Sequence, residues 1–112
     1  MNSTTMNSVA LIGIDLSKPS FHLYGQNKHG KMMLREKVTR NEMFTLLNDF
    51  PPCKIAMESC TESQWIARRL FVMGHEVKLI EPPYVKSSNT NDFADAMALC
   101  EAARYPSKPQ TV

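Results

Sequence analysis

The run VALIGID at residues 9–15 constrains this chain more than any other stretch, because an unbroken apolar segment stops abruptly on a carboxylate. A short run rich in Val and Ile suits a strand covered on both faces. The competing helical turn is cut short by Leu16, Ser17, Lys18 and Pro19, which break the chain too soon. Gly13 has no side chain, so another backbone can approach closely there. An acid that ends a central strand stands where open α/β sheets place their chemistry. Asp15 is therefore the first candidate site residue.

The rest of the chain reads as elements arranged around that strand. Residues 20–25 alternate apolar and polar side chains, as a half-exposed strand does, and residues 27–30 (NKHG) form a turn. Residues 31–38 make a third strand, and the short links make all three antiparallel neighbours. Thr39 and Glu42 have capping-box spacing and predict a helix whose apolar face carries Met43, Phe44, Leu46 and Leu47, stopped by Pro51 and Pro52. Residues 53–58 form a fourth strand, again ending on an acid, Glu58. Thr61 and Gln64 open a second helix by the same logic, with Trp65, Ile66, Leu70 and Met73 on one side and Gly74 placed to end it. Residues 76–80 make a fifth strand, 84–91 a polar link and 92–103 a third helix. The folded domain is 9–105, with 1–8 a flexible start and 106–112 a tail.

Three antiparallel strands followed by alternating helices and strands predict an α/β fold, a mixed sheet with helices packed on it. Right-handed crossovers set the fourth strand beside the first and the fifth beyond it, in order 3-2-1-4-5. That arrangement resembles the ribonuclease H-like sheet.

Composition excludes several classes. At 112 residues the chain is one domain that needs no staples. Cys53, Cys60 and Cys100 are odd in number and lack CxxC spacing, so reduced thiols are expected rather than disulfides or zinc. His22, His29 and His75 are scattered and make no ligand pair. No apolar stretch approaches the ~18 residues of a membrane span, and residues 1–8 lack a signal-peptide core, which points to a cytoplasmic protein. A net charge of +2 is too mild to establish a nucleic-acid partner by itself.

Parallel neighbours lie about 4.8 Å apart, so Asp15 and Glu58 are expected side by side at one sheet edge. Asp92 and Asp95 are three apart, which puts both on one face of the last helix. If that face crosses the strand ends, four carboxylates converge. No cationic side chain nearby in sequence is expected to neutralise them, whereas Mg²⁺ (or Mn²⁺ as a substitute) suits such oxygen donors. The crowded, metal-free acids are expected to repel, so that Asp15→Asn raises stability in chelator. Each acid also fits a plainer role: a strand-end acid is often solvated surface, and Asp92 suits the helix dipole. Glu62 rivals Glu58 but fits a helix first turn better, while Glu36 and Glu101 read as solvated faces. Lys18 and Lys86 flank the acids and are candidate phosphate contacts; Arg68 and Arg69 add to an expected weak, salt-sensitive affinity for nucleic-acid backbone. Trp65 and the eight methionines read as packing or initiation residues.

Taken in order, GIDLSK (13–18), AME (56–58), WIAR (65–68), GHEVKLI (74–80), PYVK (83–86) and NDFADA (91–96) resemble the N-terminal domain of the DEDD-type insertion-sequence transposases, relatives of the pilin-inverting site-specific recombinase. The resemblance runs over about residues 9–104. It implies a RuvC-like fold, with Asp15, Glu58, Asp92 and Asp95 as catalytic residues holding Mg²⁺ for DNA strand cleavage or exchange. It also implies DNA and a structured guide RNA as partners, leaves a homo-oligomer open, and implies a C-terminal domain bearing a nucleophilic serine. No serine of these 112 residues corresponds to that one, so the chain alone is expected to be inactive. The rival reading is a non-catalytic module of a truncated transposase that binds RNA or dimerises. Actin-like ATPases and sugar kinases share the first-strand acid, but their phosphate-cradling glycines are missing from residues 17–20.

Overall fold

A computed structural model describes residues 3–81, 92–104 and 110–111. The first strand, β1 (Leu11–Asp15), is buried along its whole length, as a central strand must be. It pairs antiparallel with β2 (Phe21–Gln26), which pairs antiparallel with β3 (Met32–Val38). The β2–β3 turn is closed by the Asn27 side chain, which accepts hydrogen bonds from the His29 and Lys31 N–H groups, and Gly30 supplies a positive φ of 85°. On its other side β1 runs parallel to β4 (Lys54–Glu58), and β4 runs parallel to β5 (Glu76–Ile80). The expected order 3-2-1-4-5 is the one observed. A sixth, two-residue strand, β6 (Gln110–Thr111), adds antiparallel to β5 within the stretch read as a tail. At the other terminus Ser3–Ser8 form a short helix, α1, whose Met6 packs on the core. Neither piece carries an apolar run that would announce it.

Helix α2 (Arg40–Asp49) starts at the expected capping box: Thr39 Oγ1 accepts from the Glu42 N–H, and Glu42 Oε1 accepts from the Thr39 N–H. Helix α3 (Thr61–Val72) begins one residue earlier than the Thr61 cap expected. Its cap is Cys60, whose thiol accepts from the Ser63 N–H while Ser63 Oγ accepts from the Cys60 N–H. Gly74, at φ 103°, ends α3 with the paired bonds Gly74 N–H to Phe71 C=O and His75 N–H to Leu70 C=O. Helix α4 (Ala94–Ala103) starts two residues later than expected, because Phe93 (φ −103°, ψ 6°) is not helical.

The alternation of side chains across the strands sorts the core into two layers. Ile12 and Ile14 of β1 and Ile55 and Met57 of β4 face α2 and α3, packing with Met43, Leu47, Ile66 and Leu70. Leu11, Ala56 and Ile80 face α4, packing with Leu99, Cys100 and Ala103. Each such aliphatic side chain contributes about 1.5–3 kcal/mol on full burial. His75 links the first layer to the loops. Its Nδ1 accepts from the Cys53 N–H and its Nε2–H donates to the Leu47 carbonyl, so the buried ring ties the end of α2 to the start of β5. Trp65, read as a packing residue, lies against Phe44 but stays 42% exposed, with the guanidinium groups of Arg40 and Arg69 at 5.5 and 5.6 Å from its ring.

Candidate active site

Gly13 and Asp15 alternate onto the α4 face of β1, as Ala56 and Glu58 do on β4. Register pairs Ile14 with Met57, so Asp15 and Glu58 close the two neighbouring strands side by side. Antiparallel pairing continues that row outward, with His22 opposite Asp15 and Lys37 opposite His22. One sheet edge thus presents a cation, an imidazole and two carboxylates in sequence.

Helix α4 descends over this face from its N-terminus. Its backbone comes so close to β1 that a Cβ on Gly13 would overlap the Ala96 carbonyl, the close approach expected of that glycine. The Cys100 thiol donates to the Tyr24 carbonyl at 3.4 Å, and burial pushes this thiol pKa up to about 12. The helix start is pinned by Phe93, whose ring meets His22 edge-on at 5.0 Å and carries the Arg35 guanidinium 4.5 Å from its centroid. Asp95, in the first turn, and Asp92, in the turn before it, are thereby brought to the strand-end edge. They reach it from a turn and a helix rather than from one helical face.

Asp15 is only 4% exposed, yet it is held as a carboxylate. Its Oδ1 accepts from the Ser17 N–H at 2.9 Å and the Ser17 hydroxyl at 2.6 Å, and its Oδ2 accepts from Lys18 Nζ at 2.9 Å. Burial pushes its pKa up, but the hydrogen bonds from Ser17 and Lys18 outweigh this and leave it below the usual carboxylate value. Lys18 Nζ also lies 3.8 Å from Asp95 Oδ2. The Asp15 bond, together with the charges of Asp15, Asp95 and Asp92, raises the Lys18 pKa against a smaller effect of burial.

This corrects the expectation that no cation nearby in sequence could neutralise the acids: Lys18 does so, from three residues away. The i, i+3 spacing was visible, but sequence alone does not show that the hairpin folds the lysine back. Glu58 is half-buried at the end of β4, and Lys86 lies outside the described residues. Glu62 is paired with Arg40, and both line an open groove that also takes in Lys18. The donor chemistry, hard carboxylate oxygens, fits Mg²⁺ or Mn²⁺. Among the described residues, however, no three His, Cys, Asp or Glu side chains are grouped closely enough to hold an ion, and Asp15 spends both oxygens on Ser17 and Lys18.

A mixed α/β sheet that ends two neighbouring central strands on Asp15 and Glu58 sets these acids where open α/β sheets place their chemistry. The chain matches proteins named as transposases. The chain is 49% identical over 105 residues to the transposase for insertion sequence element IS1328 of Yersinia enterocolitica, covering 91% of this chain and 31% of that protein. It is 45% identical over 106 residues to the putative transposase y4pF/y4sB of Sinorhizobium fredii, covering 91% and 27%. To the transposase for insertion sequence element IS1111A of Coxiella burnetii it is 33% identical over 103 residues, covering 88% and 28%. No protein-family model matches the chain. The chain spans about three tenths of the length of the curated relatives it matches.

Proposed function

We propose that this chain is the acidic, RuvC-like catalytic domain of a DEDD-type insertion-sequence transposase, acting in DNA strand cleavage and exchange. The observation that carries the reading is that Lys18 bonds Asp15 and lies 3.8 Å from Asp95, next to the strand that ends on Glu58, in a chain whose relatives are named transposases. Asp15, Glu58, Asp92 and Asp95 would hold Mg²⁺, with Mn²⁺ as a substitute. When bound there, a divalent cation offsets charge on phosphate and activates an attacking oxygen. The residues themselves orient the site: Ser17 fixes the Asp15 carboxylate through one oxygen, and Phe93 locks the start of α4 so that Asp95 faces the strand ends. DNA is the substrate, a structured guide RNA the second nucleic-acid partner, and a serine-bearing domain the partner needed for covalent exchange. Lys18 and Lys86 are the candidate phosphate contacts.

The test is a thermal melt with chelator and with added Mg²⁺ or Mn²⁺. A cation at about ten times its Kd adds about 1.4 kcal/mol to the folded state. Asp15→Asn should lose most of the parent's upward shift. Glu62→Gln should keep it, because Glu62 is engaged with Arg40 instead. A parent chain indifferent to metal, or an Asp15→Asn variant with the parent's shift, sinks the reading.

A further inference from the structure

We infer that the outer face of α3 is a docking surface for an acidic amphipathic helix of a protein partner. The inference does not rest on the strand-end acids. Helix α3 turns Ile66, Ala67 and Leu70 into the core, as any helix seated on a sheet must. A second stripe on the same helix, Trp65, Arg68, Arg69 and Val72, recurs at i, i+3, i+4 and i+7 and is exposed, with Phe71 one turn from Arg68. Phe71 is 66% exposed and Val72 83%. Trp65, Arg68, Arg69, Val72 and Met73 line an open groove of about 530 Å³ along this stripe. That is the spacing by which one helix receives the side chains of another.

The chemistry of the groove selects its occupant. Among the described residues neither Arg68 nor Arg69 has an ion-pair partner, and Glu62, the one acid of α3, is engaged with Arg40. Guanidinium groups match carboxylates in a fixed fork geometry, so the occupant carries Asp or Glu opposite them. Phe71 and Val72 call for apolar cover. A nucleic-acid backbone would meet the arginines but leave Val72 in water, since that side chain has no ring to stack and no polar atom. A second copy of this chain would set uncompensated guanidinium groups against one another, because the stripe holds no carboxylate. An acidic helix with apolar residues at the same spacing answers both the charge and the apolar surface.

Trp65 is the single tryptophan of the chain, so its emission reads this face directly. The probe is a tryptophan-free synthetic helix of about 20 residues, with Leu at i, i+3, i+4 and i+7 and Glu at the flanking positions. Adding it should shift the emission to the blue in a saturable titration. A version with Lys in place of Glu, and a scrambled version of the same composition, should not. Arg68→Glu combined with Arg69→Glu should weaken binding of the acidic helix about tenfold or more and let the Lys version bind in its place. Val72→Asp, at an exposed position, should also weaken the acidic helix about tenfold and serves if the double variant does not fold. An emission unmoved by the acidic helix, moved equally by the scrambled or Lys version, or indifferent to these variants overturns the inference. So does a blue shift produced instead by single-stranded DNA, by phosphatidylserine vesicles or by raising the protein concentration alone.

Discussion

Asp15 shows how a buried charge can stabilise rather than strain a fold. Crowded acids alone would make its neutralisation favourable, and on that basis Asp15→Asn was expected to raise stability. The structure reverses the sign, because the carboxylate is ionised more readily in the fold than out of it. A folded pKa below the unfolded value of 3.8 means the contribution is fully present above pH 3.8 and is lost as pH falls through the folded value. Lys18 is the converse: its folded pKa lies above 10.5, so its contribution is present below pH 10.5 and is lost as pH rises through the folded value. Asp15→Asn should therefore destabilise the metal-free protein at neutral pH by about 1–2 kcal/mol, since it exchanges a charge-assisted bond for a neutral one. The deficit should shrink as pH is lowered below 3.8. Denaturant melts of both proteins in chelator across that range check it; a variant as stable as the parent at pH 7 contradicts it.

At the level of elements, the sequence was legible wherever one local rule acted alone. The buried run of β1, the Thr39–Glu42 box and the Gly74 stop are each written in a few adjacent residues, and each stands where expected. The reading slipped where two residues competed for one role. Thr61 is the better cap by type, yet Cys60 holds the position because its extended backbone and Ser63 complete a reciprocal pair. The start of α4 was obscured because Phe93 is fixed by His22 and Arg35, partners distant in sequence. The positions of Asp15 and Glu58 at strand ends were readable from the sequence, whereas the ion pair of Lys18 depended on hairpin geometry that no spacing rule encodes. The contact of α4 with β1 was readable only as a permissive glycine, and it now gives a sharper expectation. Gly13→Ala would drive a methyl into the Ala96 carbonyl and against Cys100 Sγ at 3.0 Å. The first neighbour is backbone, so the helix must shift as a body. We expect a loss of about 3 kcal/mol, the upper end for overpacking, and a weakened metal response because Asp95 moves with the helix. Urea denaturation with and without Mn²⁺ measures both; a loss under about 1 kcal/mol would mean that α4 is not seated as described.

Across the whole molecule, the two faces of the sheet carry different chemistry, and this divides the basic residues into two sets. Arg35 and Lys37 on β3 share the α4 face with His22 and Asp15, in register with the acids. Arg68 and Arg69 ride on α3, across the sheet, where Arg69 lies over Phe44, 4.2 Å from the ring centroid. A strand delivered to the acidic edge would lie along the first set and away from the second. Lys37 is the cleaner probe, because it is exposed while Arg35 also braces Phe93. If DNA approaches the carboxylates by this route, Lys37→Ala should weaken binding similarly on all sequences and lower the slope of log K against log salt by about 1. Arg68→Ala should leave both nearly unchanged. The parent itself should bind weakly and lose affinity steeply with salt, because counterion release is the main driving term. Fluorescence anisotropy over a salt series tests the scheme. Equal slopes for Lys37→Ala and the parent, or a loss in Arg68→Ala instead, would move the nucleic acid to the α3 face and away from the acids.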